Sequence, residues 1–350
     1  MPSAGFISTD FAMQHDPPVA NGCTWYRCVL PAEALALQGW NVAVGMPRDH
    51  PDKGIGIAHE DGAYFGFDVS VFKLLMHSSV PDEFVKMRRN GDRVVVDVDD
   101  FHFGISQDNI AAKTTSPLNE PDSNRMFHEM SMRLADRVTV STEFLANHYE
   151  RRCRDVVIVR NAVDADRYEA VQHPDVPVIG WVGGTLWRSG DIELLREWLP
   201  GFVRDHAVEV YHGGHIPCDP RHFAVRAGLR RVRTGVMRDM RTYPELVAGF
   251  HIGVVPLTVS GFNESKSYLK GLEYAAAGIP FIATPTREYR LLAEAGVGRL
   301  AETPDEWRDH ATELLDVGVR AAEGARIRQI VRDQFDYASK GPEWATALLG

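Results

Sequence analysis

Short apolar runs alternate with segments of helical spacing along the whole chain, a pattern that predicts α/β layers built on parallel sheets. Gly5 to Ser8 reads as an opening strand, followed by a polar loop and a helix from Trp25 to Leu37 that Gly39 closes. Further strands are predicted at Val42 to Val44, Val69 to Leu75, Val94 to Val98, Arg137 to Val140 and Val156 to Val159. Helices are predicted over Ser123 to Leu134 and Glu143 to Glu150. A second run opens at Val178 to Val182 and continues through Val208 to His212, a strand near Val232, Ile252 to Val255 and Phe281 to Ala283. Two prolines within His173 to Pro177 suit a linker between the runs. The tail from Glu323 to Leu349 reads as helical, interrupted around Gly341 and Pro342.

Length and composition agree with two such units. The chain has 350 residues, and about 150 residues is a soft prior for one domain. A hydrophobic content of 44% is ample for packed cores. The formal net charge of −10 disfavours a general nucleic-acid binder, which would carry a basic excess. Arg221, Arg226, Arg230, Arg231, Arg233, Arg238 and Arg241 cluster locally and read mainly as a solvated face, with one or two available for phosphate. Cys23, Cys28, Cys153 and Cys218 form no Cys-x-x-Cys pair, so neither zinc nor a disulfide framework is indicated. The N-terminus lacks the basic start and apolar run of a signal peptide, and no apolar stretch approaches about 18 residues. A soluble cytoplasmic protein is the expectation.

The most informative stretch is residues 265 to 284, SKSYLKGLEYAAAGIPFIAT. Ser267 is placed as an N-cap, Lys270, Glu273 and Tyr274 follow at helical spacing, and Gly278 with Pro280 closes the helix. The first amides of such a helix, on Tyr268, Leu269 and Lys270, make an anion site when they point into a cleft. Glu273, one turn further in, is placed to accept hydrogen bonds from the vicinal hydroxyls of a ribose. Phosphates at the helix start and ribose on the carboxylate together suggest a nucleoside-diphosphate site.

The segment Ser-x-Leu-Lys-x-x-Glu-Tyr-x-Ala-x-Gly-x-Pro closely resembles the donor-site segment of GT-B glycosyltransferases, especially the large retaining family with two Rossmann-like domains. The resemblance implies that Glu273 holds the ribose of a nucleotide sugar and that the helix amides hold its diphosphate. It departs from the usual family pattern at Ser265, where a second Glu, eight residues earlier, commonly contacts the transferred sugar. Val156 to Tyr168, with Asn161-Ala162-Val163-Asp164, resembles the segment that closes the N-terminal domain in this family.

Other segments fall into place beside this one. Gly183-Gly184-Thr185-Leu186-Trp187-Arg188 joins a strand to a helix, a turn whose backbone can approach a phosphate closely while Arg188 neutralises it. The family's Arg and Lys of this loop are replaced by Gly184 and Ser189, so Arg188 with Lys270 or Lys266 is assigned that work. The Gly-x-Gly-x-x-Gly spacing of a dinucleotide site does not occur there. Gly22, in Asn21 to Arg27, resembles the family's first glycine loop facing the donor phosphates, or is simply a tight turn. Arg27 is a candidate for an anionic group on the acceptor side, or a surface arginine. Asp97-Val98-Asp99 matches the Asp-x-Asp pattern by which other glycosyltransferases hold a metal, but it lies far from the donor motif and the metal reading is rejected. By resemblance Asp99, Asp100 and His102 face the acceptor; the alternative is that the carboxylates cap the next turn. By its position Thr234 to Met237 resembles the loop with which family members hold the nucleobase, and the resemblance implies that Met237 is a donor contact. No Gly-x-Ser-x-Gly elbow or His-Glu-x-x-His is present, so hydrolase and metalloprotease readings lack support.

The expectation is therefore an N-terminal Rossmann-like domain over residues 1–170 on the acceptor side and a donor-side domain over 171–325. Residues 326–350 form a helix that crosses back to the first domain. The expected reaction is transfer of a sugar, a hexose by resemblance, from a nucleoside-diphosphate sugar to a hydroxyl of a saccharide, lipid or protein, retaining, metal-independent and without cofactor. Two rivals stay open: a nucleotide-sugar epimerase of the same fold, and a non-catalytic sugar-nucleotide or glycan-binding protein.

Overall fold

The computed structural model describes residues 1–15, 18–59, 62–73, 76–107, 112, 124–168, 176–184, 190–215, 220–237 and 239–350. Two six-stranded parallel sheets carry the chain. In the first sheet the spatial order is Val156–Ile158, Arg137–Val140, Arg93–Val98, Val69–Lys73, Ser3–Ser8 and Asn41–Gly45. In the second it is Arg233–Met237, Glu209–His215, Val178–Val182, Ile252–Val255, Phe281–Ala283 and Arg299–Leu300. The central strands are buried along their whole length, as expected when helices cover both faces of a parallel sheet. That is why Val178–Val182 and Ile252–Val255 read as unbroken apolar runs rather than alternating ones.

The second sheet is doubly wound: all six strands are parallel, with the first three in chain order added outward on one side and the fourth to sixth on the other. The order of strand addition reverses between Val178–Val182 and Ile252–Val255, which pair in parallel, and ligands of such sheets bind at the carboxyl ends of the strands at that switch. Helix Leu269–Ala276 packs beside this point. It lies close because Gly253 carries no side chain: a Cβ there would stand 2.4 Å from the Tyr274 ring.

The predicted opening helix is continuous but not uniform. It runs from Gly22–Thr24 through a π-helical turn, Trp25–Val29, into Leu30–Ala36. Leu30 N–H donates to Trp25 O, five residues back, and Pro31 has no N–H with which to continue the α pattern at Arg27. Two antiparallel pieces escaped the sequence pattern: Phe11–Ala12 with Val19–Ala20, and the three-stranded sheet Pro47–His50, Gly54–His59, Gly62–Tyr64. Glycine and charged residues obscure the alternation in the latter. The predicted strand end at Leu75, the helix start at Ser123 and the linker residues 173–175 lie outside the described residues.

The chain crosses between the two sheets twice, and the crossings are bonded to each other. Val163 donates to Phe335 O at 3.1 Å and accepts from Tyr337 N–H at 2.9 Å. Helix Val317–Gln334 ends here, earlier than the predicted break at Gly341. The last helix, Gly341–Leu349, packs on the first domain, with Trp344 edge-on to Phe6 at 6.1 Å.

Arg27, expected on the acceptor side, is 1% exposed and belongs to the core. Its guanidinium donates to Asp97 through Nε at 3.0 Å and Nη2 at 2.6 Å, and through Nη1 to Val159 O at 2.7 Å and Asn161 Oδ1 at 2.9 Å. Trp344 covers it, 5.0 Å from ring centroid to Cζ. A group so completely used is not offered to a ligand. Arg27→Met should cost about 3–5 kcal/mol, because Asp97 is left buried and unpaired. Urea unfolding checks this; a loss below about 1 kcal/mol would contradict the structural role.

Candidate functional site

A cavity of about 270 Å³ opens between the two sheets. The first domain contributes Gly22, Cys23, Tyr26, Asp99, Asp100 and Asn161 to its wall. The second contributes Met240, Tyr243, Val255, Leu257, Lys266, Ser267, Leu269, Lys270, Glu273 and Tyr289. Of the residues singled out from the sequence, the fold brings Gly22, Asp99, Asp100, Lys266, Ser267, Leu269, Lys270 and Glu273 onto one cavity wall.

Glu273 is 5% exposed and both its oxygens are occupied. Tyr26 of the first domain donates to Oε1 at 2.7 Å, and Tyr243 donates to Oε2 at 2.5 Å. Tyr168 stands 3.2 Å from the Tyr26 hydroxyl. Burial pushes the Glu273 carboxyl above its usual range, against the opposing pull of Lys270 and the two tyrosines. Burial and the neighbouring carboxylate raise both tyrosines well above theirs, which keeps them protonated donors. Lys270, one turn before Glu273, donates through Nζ to Val182 O at the end of the central strand.

The helix start differs from expectation in one respect. Its N-cap is Tyr268, with no side-chain cap, so Ser267 is not the capping residue. Instead the Ser267 hydroxyl accepts from Asn161 Nδ2 at 2.8 Å, tying the helix entry to the Arg27 network. Helix geometry gives the first N–H groups no acceptor inside the helix, and the turn bearing Leu269 and Lys270 faces the cavity. Tyr268 itself is turned into the core, edge-on to Phe335 at 5.7 Å. Ser265 is fully buried and donates to Phe262 O at 2.7 Å, while its carbonyl accepts from Thr142. Neither Ser265 nor Tyr268 offers its side chain to the cavity.

The acidic run divides into three pairs. Asp97 is held by Arg27 and by the Thr139 hydroxyl at 2.7 Å. Asp99 pairs with Lys73, a lysine buried completely. Burial would raise the Asp99 carboxyl, but Lys73 outweighs it and holds it at about 2. Asp100 reaches across the cleft to Lys266 Nζ at 2.5 Å. Among the described residues no group of three or more His, Cys, Asp or Glu is gathered to hold a metal ion.

His102 does not line the cavity. It is 4% exposed, its Nδ1 has no hydrogen-bond partner, and its ring centroid lies 6.3 Å from that of His128. Burial, helped by Lys73 and opposed by Asp99, lowers it to about 3. So weak a base is poorly matched to taking a proton at neutral pH.

Gly183 and Gly184 sit at the end of the central strand, where Gly183 donates to Gly213 O at 2.8 Å and accepts from His212 at 2.9 Å. Thr185 and Arg188, with the rest of 185–189, lie outside the described residues. Met237 pairs through its backbone with His215. Met240, three residues further on, is the methionine on the cavity wall. Sequence reasoning missed Tyr26, Tyr243, Asn161, Cys23, Met240 and Tyr289. Only Cys23, Tyr26 and Asn161 had a signal, since all three fall inside segments already singled out. In the arginine cluster, Arg226 pairs with Glu193 at 2.6 Å, Arg233 with Glu209 at 2.8 Å and Arg241 with Asp239 at 2.8 Å. Among the described residues no helix is long and apolar enough to cross a membrane.

Two predictions follow from these charges. Glu273→Gln removes a buried charge while keeping its shape, so thermal stability at pH 7 should hold or rise; a fall of more than about 5 °C would mean that the charge itself holds the domains together. His102 and His128, both lowered to about 3 chiefly by burial, are neutral in the fold but take a proton when unfolded. Stability is then present above about pH 6.5 and is lost as pH falls toward 3, at up to about 1.4 kcal/mol per pH unit for each histidine. Denaturant unfolding at pH 7 and pH 5 measures it, and replacing His128 by Asn should flatten the slope.

No protein-family model and no curated protein matches this sequence. Solved structures do match in fold over nearly the whole chain. Sucrose-phosphate synthase from Thermosynechococcus elongatus superposes with a TM-score of 0.67 at 15% identity, covering 99% of this chain and 98% of that one. HepE from Anabaena in complex with UDP gives 0.63 at 14% identity, covering 99% of each. WaaG, a glycosyltransferase involved in lipopolysaccharide biosynthesis, gives 0.58 at 16% identity, covering 99% of this chain and 100% of that one. At such identities the likeness is one of architecture: the chain has the GT-B fold, two Rossmann-like α/β domains facing across a cleft.

Proposed function

We infer that this chain is a glycosyltransferase that moves a sugar from a nucleoside-diphosphate sugar to an acceptor hydroxyl. The observation that carries the reading is the placement of Glu273, Lys270 and the first turn of helix Leu269–Ala276 on one cavity wall, at the switch point of a doubly wound sheet. A diphosphate on that first turn meets backbone N–H groups, the positive end of the helix and the Lys270 ammonium. Glu273 then lies one turn along, where its remaining lone pairs accept from the ribose hydroxyls. HepE, of the same fold, is described in complex with UDP and with UDP-glucose, which supports a nucleotide sugar as the ligand.

In this reading catalysis is electrostatic. As the glycosidic bond breaks, negative charge grows on the leaving diphosphate, and Lys270, the helix start and Arg188 stabilise it. The acceptor enters from the first domain, past Asp99 and Asp100. Retention of configuration, a hexose as the sugar and independence from a divalent ion complete the proposal; the protein's own cations supply the charge a metal would bring. The acceptor is a hydroxyl of a saccharide, lipid or protein. One observation favours the non-catalytic rival: Ser265, at the position of the sugar-contacting Glu, turns its hydroxyl away from the cavity.

Calorimetric titration with UDP, GDP, ADP and dTDP, with and without EDTA, tests the reading. One diphosphate should bind regardless of EDTA. Glu273→Gln should weaken it roughly tenfold or more, the worth of a hydrogen bond to a charged group. Binding that survives the substitution unchanged would remove Glu273 from the site.

A further inference from the structure

Two carboxylates face the cavity from the end of the same first-domain strand, and they are neutralised in different ways. Asp99 is matched by Lys73 within its own domain, and that lysine is wholly buried. Asp100 is matched by Lys266 of the opposite domain at 2.5 Å, with the two side chains 27% and 19% exposed. Lys266 sits in the loop that enters the donor helix, its Nζ 4.1 Å from the centroid of the Phe262 ring. It is therefore a cation that a diphosphate on the first helical turn would meet, yet an acceptor-side carboxylate already holds it.

A partly exposed ion pair of this kind contributes little on its own. A diphosphate carries more charge than a carboxylate, and the two repel when brought to one ammonium. Exchange at Lys266 is thus cheap for the protein and favoured by the ligand. The same exchange at Asp99 would strand a buried lysine, which costs far more.

We propose that Asp100 competes with the donor diphosphate for Lys266, and that the arriving diphosphate takes Lys266 and releases Asp100 to accept a hydrogen bond from the acceptor hydroxyl. The proposal rests on the donor-site reading above. It fixes the order of events: donor first, acceptor second, because the acceptor's carboxylate is engaged until the phosphates arrive. It also means that one ion pair between the domains withholds the acceptor contact.

The test is a double-mutant cycle read by calorimetry. UDP, GDP, ADP and dTDP are titrated into the wild-type chain, Asp100→Asn, Lys266→Met and the double variant, after thermal unfolding has shown each to be folded. Asp100→Asn is expected to bind its diphosphate about fivefold tighter, and Lys266→Met about fivefold weaker or worse. The gain from Asp100→Asn should vanish when Lys266 is missing. An equal gain in both backgrounds would mean that Asp100 merely repels phosphate through space, and it would overturn the exchange. So would the absence of any gain in Asp100→Asn. If the wild-type chain binds none of the four, the donor-site reading falls and this inference with it; if it binds one and Asp100 is indifferent, only this inference falls.

Discussion

A buried carboxylate held by tyrosines from both domains is the constraint around which the cleft is organised. Glu273 brings a charge to a site where water barely reaches, and Tyr26 and Tyr243 supply the donors that make this tolerable. Because one tyrosine comes from each domain, the satisfaction of a single side chain fixes how the two halves meet. Its position in turn depends on backbone: helix Leu269–Ala276 can approach the central strands only because Gly253 leaves room for the Tyr274 ring. Packing, domain geometry and the chemistry of the site are therefore one problem in this molecule.

The charges of the cleft are sorted by depth. Arg27 with Asp97, and Lys73 with Asp99, are pairs whose cations are sealed in the first domain, where their role is to hold the strand ends and the helix entry in register. Lys266 with Asp100 is shallower and spans the domains. Deep pairs are expensive to break and so give shape, whereas shallow pairs exchange partners readily and so can respond to a ligand. The two crossings of the chain are bonded to each other at Val163.

Much of the architecture was legible because parallel strands covered on both faces are mostly apolar, with the few polar exceptions such as Asp97 paired inside. Val94 to Val98, Val178 to Val182 and Ile252 to Val255 announce themselves for that reason, and the helix between Ser267 and Gly278 announces itself by spacing and its closing glycine. The antiparallel sheet at Pro47–Tyr64 did not, since Gly54, Gly56 and Asp49 blur its alternation. For the site, the donor segment carries its chemistry in consecutive residues and could be read directly. Tyr243 and Met240 come to the cavity through the fold alone, from a stretch without local pattern. Arg27 shows the converse: its type and its place in a loop-to-helix segment suggested a ligand, but an arginine beside a buried aspartate is consumed by it, and sequence spacing does not reveal the 70-residue separation that joins them. His102, a candidate by resemblance at the end of the same strand, is likewise turned away by its burial.

The most direct measurement is a crystal structure of the chain with the nucleoside diphosphate that calorimetry selects. The account places the ribose hydroxyls within hydrogen-bond distance of the Glu273 carboxylate and the diphosphate on the N–H groups at the start of helix Leu269–Ala276, with Lys270 beside it. A nucleotide bound elsewhere, or one in this cavity whose ribose avoids Glu273, would contradict it.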